Sequence, residues 1–232
     1  MSDRLAGGDG ALLRLLTWLS PSFPVGAFSY SHGLEWSIEV GDVTDRATLV
    51  AWIEALLAHG GLGADGVFFA RAHDAARADD IAALREVAEL ASAFQPSRER
   101  RLESFSQGAA FVTAIRAAFP TSALDGLTSA WDGPIAYPVA VAVACAGHGA
   151  PRGAALAAFL HAGVANLVSA AVRLVPLGQT DGLRAIAALE PAIGLAAIKA
   201  EATPLERVSG AALRSDIASM RHETQRTRLF RT

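Results

Sequence analysis

One hydrophobic period recurs along this chain. Leu49, Trp52, Ile53, Leu56 and Leu57 stand at i, i+3, i+4, i+7 and i+8. Leu84, Val87, Ala88, Ala91 and Phe94 repeat the stripe, and Leu102, Phe105, Ala109, Val112 and Phe119 extend it with Arg, Glu, Ser and Gln opposite. Residues so spaced share one apolar face of a 3.6-residue helix, about 100° wide. No run rich in Val, Ile, Thr or Tyr alternates with polar residues as a half-buried strand would. Residues 139–143 alternate Val with Ala, but a strand there would have no partner. Alanine, the strongest helix former, supplies 50 of the 232 residues, and aromatics only 7%. The expected fold is all-α, a single compact bundle of roughly eight to ten helices.

Punctuation falls between the stripes, at Pro21 and Pro24, residues 60–66, Pro96, Pro120, Gly133-Pro134, residues 149–151, residues 176–178, Pro191 and Pro204. Ser97 predicts an N-cap for the helix after Pro96, and Thr180 or Asp181 for the one after Gly178. No fixed repeat or low-complexity linker divides the chain, so residues 1–232 form one domain in this reading. Its ends, residues 1–10 and 223–232, have too few apolar residues to pack internally and are expected to be flexible.

Composition and motifs exclude several functions. A net charge of −3 gives no general attraction to nucleic acid or anionic membrane. With 52% hydrophobic and 19% charged residues, the chain is not intrinsically disordered. The single cysteine, Cys145, rules out a disulfide scaffold and agrees with a cytoplasmic location. Nineteen arginines accompany one lysine, Lys199, which sits in Ala-Ile-Lys-Ala, so the chain has no phosphate-binding P-loop. Residues 11–19 are apolar, but Arg14 interrupts them and Asp3 and Asp9 precede them, unlike a signal peptide. Residues 154–172 are long enough to span a membrane, yet His161, Asn166, Ser169 and many alanines make a buried core helix the better reading.

Gly61-x-Gly63-x-x-Gly66 matches a dinucleotide fingerprint that must follow a strand; here it follows a helical stripe and reads as a flexible connection. Cys145-x-x-His148 offers two of the four ligands a closed zinc site needs, and reads as a buried cysteine beside a helix-ending histidine. His32, His59, His73 and His161 are isolated, and no nucleophile elbow or carboxylate pair is visible. The sequence shows no catalytic apparatus.

Three segments are left. Residues 19–36 combine a double-proline turn with glycines and aromatics before Glu35 and Trp36. Residues 172–182 end one helix, turn and restart another. Residues 214–232 carry a net +3, leaving −6 for the rest, and Leu229-Phe230 among arginines suits an exposed anchor that docks on a partner.

These segments resemble the UreF family of urease accessory proteins. Pro-Val-Gly-Ala-Phe-Ser-Tyr-Ser-His-Gly-Leu-Glu-Trp at 24–36 is similar to its N-terminal signature, and Val-Arg-Leu-Val-Pro-Leu-Gly-Gln at 172–179 to a second segment. Arg-His-Glu-Thr-Gln-Arg-Thr-Arg-Leu-Phe-Arg at 221–231 resembles the family's ending, and Arg98-Glu99-x-Arg101 is a weaker match. Three departures stand out: His32 in place of glutamine, Arg173 in place of lysine, and Arg226-Thr227 in place of Tyr-Ser.

The resemblance implies a non-enzymatic homodimer in the cytoplasm. It implies a scaffold between UreD (also called UreH) and the GTPase UreG for GTP-dependent nickel insertion into apo-urease. A regulator of UreG's GTPase activity is the alternative. No cofactor of its own is implied, since nickel and GTP are handled by the partner GTPase, and neither nucleic acid nor membrane is expected as a partner. Partner contact is assigned by the resemblance to Pro24, Gly26, Ser29, Gly33 and Glu35, to Arg98 and Glu99, and to Arg173 and Gln179. In the tail it is assigned to Arg221, His222, Glu223, Arg228, Leu229 and Phe230. Glu35 is then a partner residue whose loss spares the fold, and the tail is mobile until UreD orders it.

Overall fold

The most apolar stretch, residues 138–146, forms a helix buried on every side. A helix apolar all round has no face to give to water and takes the centre of a bundle. The structure, a computed structural model describing residues 9–232, builds the other helices around it. In chain order these are α1 (Asp9–Trp18), α2 (Leu34–Glu39), α3 (Arg46–His59), α4 (Gly61–Arg77), α5 (Ile81–Ala93), α6 (Arg98–Ala118) and α7 (Ser122–Ala130). The central α8 (Tyr137–Gly147) is followed by α9 (Arg152–Leu174), α10 (Gln179–Ala202) and α11 (Leu213–His222). Single 3-10 turns form at Ala27–Ser29 and Leu205–Arg207, and no strand occurs among the described residues. α3 and α4 meet at Gly60 alone, so if they are counted as one bent helix there are ten helices among the described residues. The all-α expectation is met. Of the segment expected to be flexible at the start, residues 1–8 lie outside the described residues.

α8 packs against α4, α6, α7 and α9. Its alternating Val and Ala, unable to pair as a strand, keep the helix thin enough for four neighbours. The buried Cys145 thiol is pushed up to about 12 by burial, and His148 caps the helix with Nε2 3.0 Å from the Phe119 carbonyl. Residues 154–172 fall within α9, whose inner face from Ala155 to Ala171 is buried. α9 and the joined α3–α4 are each long and apolar enough to cross a bilayer; half of α9's most apolar window is buried in the bundle.

Four local expectations are corrected. Residues 61–66 are not a flexible connection but the first turns of α4. A Cβ on Gly63 would stand 2.5 Å from the Leu57 carbonyl oxygen, and Gly66 lies against Ala200 and Leu160, so these glycines permit close packing. The chain also does not break at Pro191, which lies inside α10. Proline removes the hydrogen bond to the residue four back, but Ala187 and Pro191 are both exposed, so water can take the freed carbonyl. Neither Thr180 nor Asp181 caps α10; Gly178 holds that position and Asp181 lies in the first turn.

The fourth correction is the face of α6. Leu102 and Ala109 point to solvent, while Glu99, Arg100, Glu103, Ser104 and Gln107 are buried. Further along, Phe111, Val112 and Ile115 restore an ordinary apolar face. A polar stripe goes inside only where its charges find partners there. Those partners come from α4, from α6 itself and from the two ends of the chain.

Candidate functional site

The segment at 24–36 folds as a reversal with three residues in the left-handed region: Gly26 (φ 71°), His32 (57°) and Gly33 (76°). At Gly33 a Cβ would stand 2.5 Å from the Ser219 backbone nitrogen, so α2 begins directly against the backbone of α11. Ser97, which caps α6 through the Arg100 N–H as its sequence predicts, also meets Ser219 hydroxyl to hydroxyl at 2.5 Å. α2, α6 and α11 thus converge on one point, and Glu35, in the first turn of α2, is buried there.

The tail closes over this point. Glu35 Oε1 accepts the Leu229 N–H at 2.6 Å, and Oε2 accepts the Phe230 N–H at 2.9 Å. Glu35 Oε2 also lies 3.2 Å from His222 Nε2, while His222 Nδ1 lies 2.6 Å from Glu99 Oε2. Arg228 Nη1 donates to Glu99 Oε1 at 2.7 Å. The Arg231 N–H donates to the Ser29 carbonyl at 2.8 Å, and the Ser31 N–H to the Thr232 carbonyl at 2.8 Å. The Ser31 hydroxyl bonds the same Thr232 carbonyl.

This geometry corrects two expectations. Phe230 is not an exposed anchor: its ring joins the core at 4% exposure, with the Arg173 guanidinium 4.3 Å from the ring centroid. Glu35 does not present its carboxylate to a partner, because its own tail occupies both oxygens. The tail lacks regular structure, as its composition predicts, yet it packs internally. Its backbone N–H groups supply what its side chains do not.

A second set of charges extends the clasp inward. Glu103 Oε1 receives Gln107 Nε2 at 3.1 Å and faces His32 Nε2 at 2.7 Å. Its Oε2 receives Arg100 Nη1 at 2.5 Å and the Thr232 hydroxyl at 3.0 Å. Arg100 Nη2 stands 3.7 Å from Asp65. Burial works to raise Glu103, but Arg100 and the His32 contact overcome it and hold the carboxyl at about 2. Burial, then Arg100, lower His32, so its neutral ring donates Nε2–H to Glu103. Asp65, farther from the same guanidinium, is pushed up to about 6 by burial.

The remaining predicted residues lie around the clasp. Pro24 and Arg221 are exposed; Arg98 is exposed too, and its backbone N–H donates to Glu223 Oε1 at 2.9 Å. Arg173 Nη2 donates to the Phe28 carbonyl at 2.9 Å, and the Phe28 and Leu229 side chains are both exposed. Gln179 opens α10 in solvent, and among the described residues no hydrogen bond ties it to the clasp. Sequence reasoning missed Ser31, His32, Asp65, Arg100, Glu103 and Thr232 as members of the site. One signal was present: Arg100, Glu103 and Gln107 form a polar stripe at helical spacing.

The chemistry here is structural. The Thr232 hydroxyl donates to the Glu103 carboxylate, but that carboxylate is already held by Arg100, Gln107 and His32. The two nitrogens of His222 face different carboxylates, so Glu35, Glu99 and His222 share no common point. Among the described residues no group of three or more His, Cys, Asp or Glu could hold a metal ion.

The fold and site define an all-α bundle whose buried polar cluster grips the chain's own tail. The sequence matches the UreF family over residues 43–190. It is 55% identical over 224 residues to the urease accessory protein UreF of Rhodopseudomonas palustris strain BisB5, covering 97% of this chain and 92% of that protein. It is also 51% identical over 230 residues to the urease accessory protein UreF of Bradyrhizobium diazoefficiens, covering 99% of this chain and 95% of that protein. The chain belongs to the UreF family of non-catalytic urease accessory proteins.

Proposed function

We propose that this chain acts in urease maturation as a scaffold joining UreD (UreH) to the GTPase UreG, for GTP-dependent nickel insertion into apo-urease. It works in the cytoplasm as a homodimer and brings no cofactor of its own, nickel and GTP being handled by UreG. The observation that carries this reading is the outer face of the clasp. Phe28 and Leu229 are 64% and 65% exposed there, while the backbone beneath both is fixed by hydrogen bonds. Apolar anchors on an already ordered backbone bind without a large ordering cost. The net +3 of residues 214–232 suits an acidic partner surface. Leu229 and the tail arginines are assigned to UreD, Arg173 and Gln179 to UreG.

Tagged protein purified from a urease-producing cell should bring down both partners. Phe28→Ala and Leu229→Ala should each weaken capture roughly thirtyfold, since truncating an anchor costs about 2 kcal/mol, without changing the melting temperature. Undiminished capture would overturn the assignment. GTP turnover by UreG with and without the protein separates a scaffold from a regulator of hydrolysis.

A further inference from the structure

A cleft of about 250 Å³ opens between the α3–α4 junction and the end of α10 with its following 3-10 turn. Lys199 and Arg207 line it with His59, and among the described residues no Asp or Glu does. The chain outside the tail carries −6, and this wall carries two permanent cations. Lys199, the only lysine, donates one N–H from Nζ to the Ala58 carbonyl at 2.9 Å. That bond holds the ammonium across the cleft wall and leaves two of its three donors unused. Ser209 also lines the cleft, while Leu57, Val67 and Ala196 give it an apolar wall.

We propose that this cleft binds a small phosphate-bearing ligand. Lys199 supplies a point charge with two available donors, and Arg207 a planar fork that matches two phosphate oxygens. Ser209 adds a neutral donor, and the apolar wall accommodates an organic group esterified to the phosphate. Free phosphate and a phosphate monoester share this chemistry and differ in their use of that wall.

Calorimetric titration of the full chain with inorganic phosphate, phenyl phosphate and phenol tests the proposal. Both phosphates should bind and phenol should not. Tighter binding of phenyl phosphate identifies an organic monoester as the ligand, and equal binding identifies free phosphate. Arg207→Gln and Lys199→Gln should each weaken binding at least about tenfold, the loss of one or more charge-assisted hydrogen bonds. Arg207 is exposed, so its variant keeps the fold and serves even if the Lys199 variant does not. No binding of either phosphate at about 5 mM, where even millimolar affinity registers, would overturn the proposal. So would binding that Arg207→Gln leaves unchanged.

Discussion

Asp65 and Glu103 both depend on Arg100, and they answer to pH in opposite senses. Asp65 has a folded value near 6, above its ordinary 3.8, so its contribution to stability is complete below about pH 3.8 and is lost as pH rises through 6. Glu103 is held at about 2, below its ordinary 4.5, so its contribution is present above that value and is lost as pH falls through 2. Asp65→Asn should therefore raise stability at pH 7 by roughly 1–3 kcal/mol and change little at pH 4. Urea denaturation at both values checks this; an equal effect at both would remove Asp65 as the source. Glu35→Ala should cost about 2–4 kcal/mol, because two backbone N–H groups and one face of His222 lose their acceptor. Chemical denaturation measures it. The sequence reading marked Glu35 as special and expected its loss to spare the fold, since nothing local in Leu-Glu-Trp reveals that its partners stand 187, 194 and 195 residues away.

At the scale of elements, what was legible depended on whether packing was local in kind. α3 and α5 bury the stripes their sequences display, and Ser97 caps α6 as its position predicts. α6 itself was misread, because apolar periodicity assumes that charges face water. Its Glu99, Arg100 and Glu103 instead meet His222, Arg228, Asp65, His32 and Thr232, residues that no window on α6 contains. α10 runs through Pro191 for a similar reason: the breaker sits where water can satisfy what it frees. The α2–α11 contact makes the sharpest test of an element junction. Gly33→Ala must place a Cβ 2.5 Å from the Ser219 nitrogen at a φ of 76°. It should cost about 2–4 kcal/mol, the sum of left-handed strain and overpacking. A denaturation midpoint unchanged from the parent would show that α2 can move away without loss.

For the whole molecule, the clasp makes the tail part of the folded body. Deleting residues 223–232 removes Phe230 from the core and uncovers Glu35 and Glu99. It should lower stability by about 3 kcal/mol, or roughly 6–12 °C in melting temperature. Helical circular dichroism should persist, since the lost residues lie outside every helix. In the intact isolated protein the Leu229 and Phe230 amides should resist hydrogen exchange, the reverse of the mobility their composition predicts; fast exchange of both would disprove the clasp. The closure also has an order in time. The bond from Ser31 to Thr232 spans 201 positions, and a chain made from its N-terminus carries Ser31 and Glu35 long before their acceptor and donors exist. Until residues 222–232 are translated, Glu35 and Glu103 lack their tail contacts. A nascent chain, or one clipped before residue 229, therefore leaves the Glu35 carboxylate without its two backbone donors, and closure of the clasp reports that translation has passed that point.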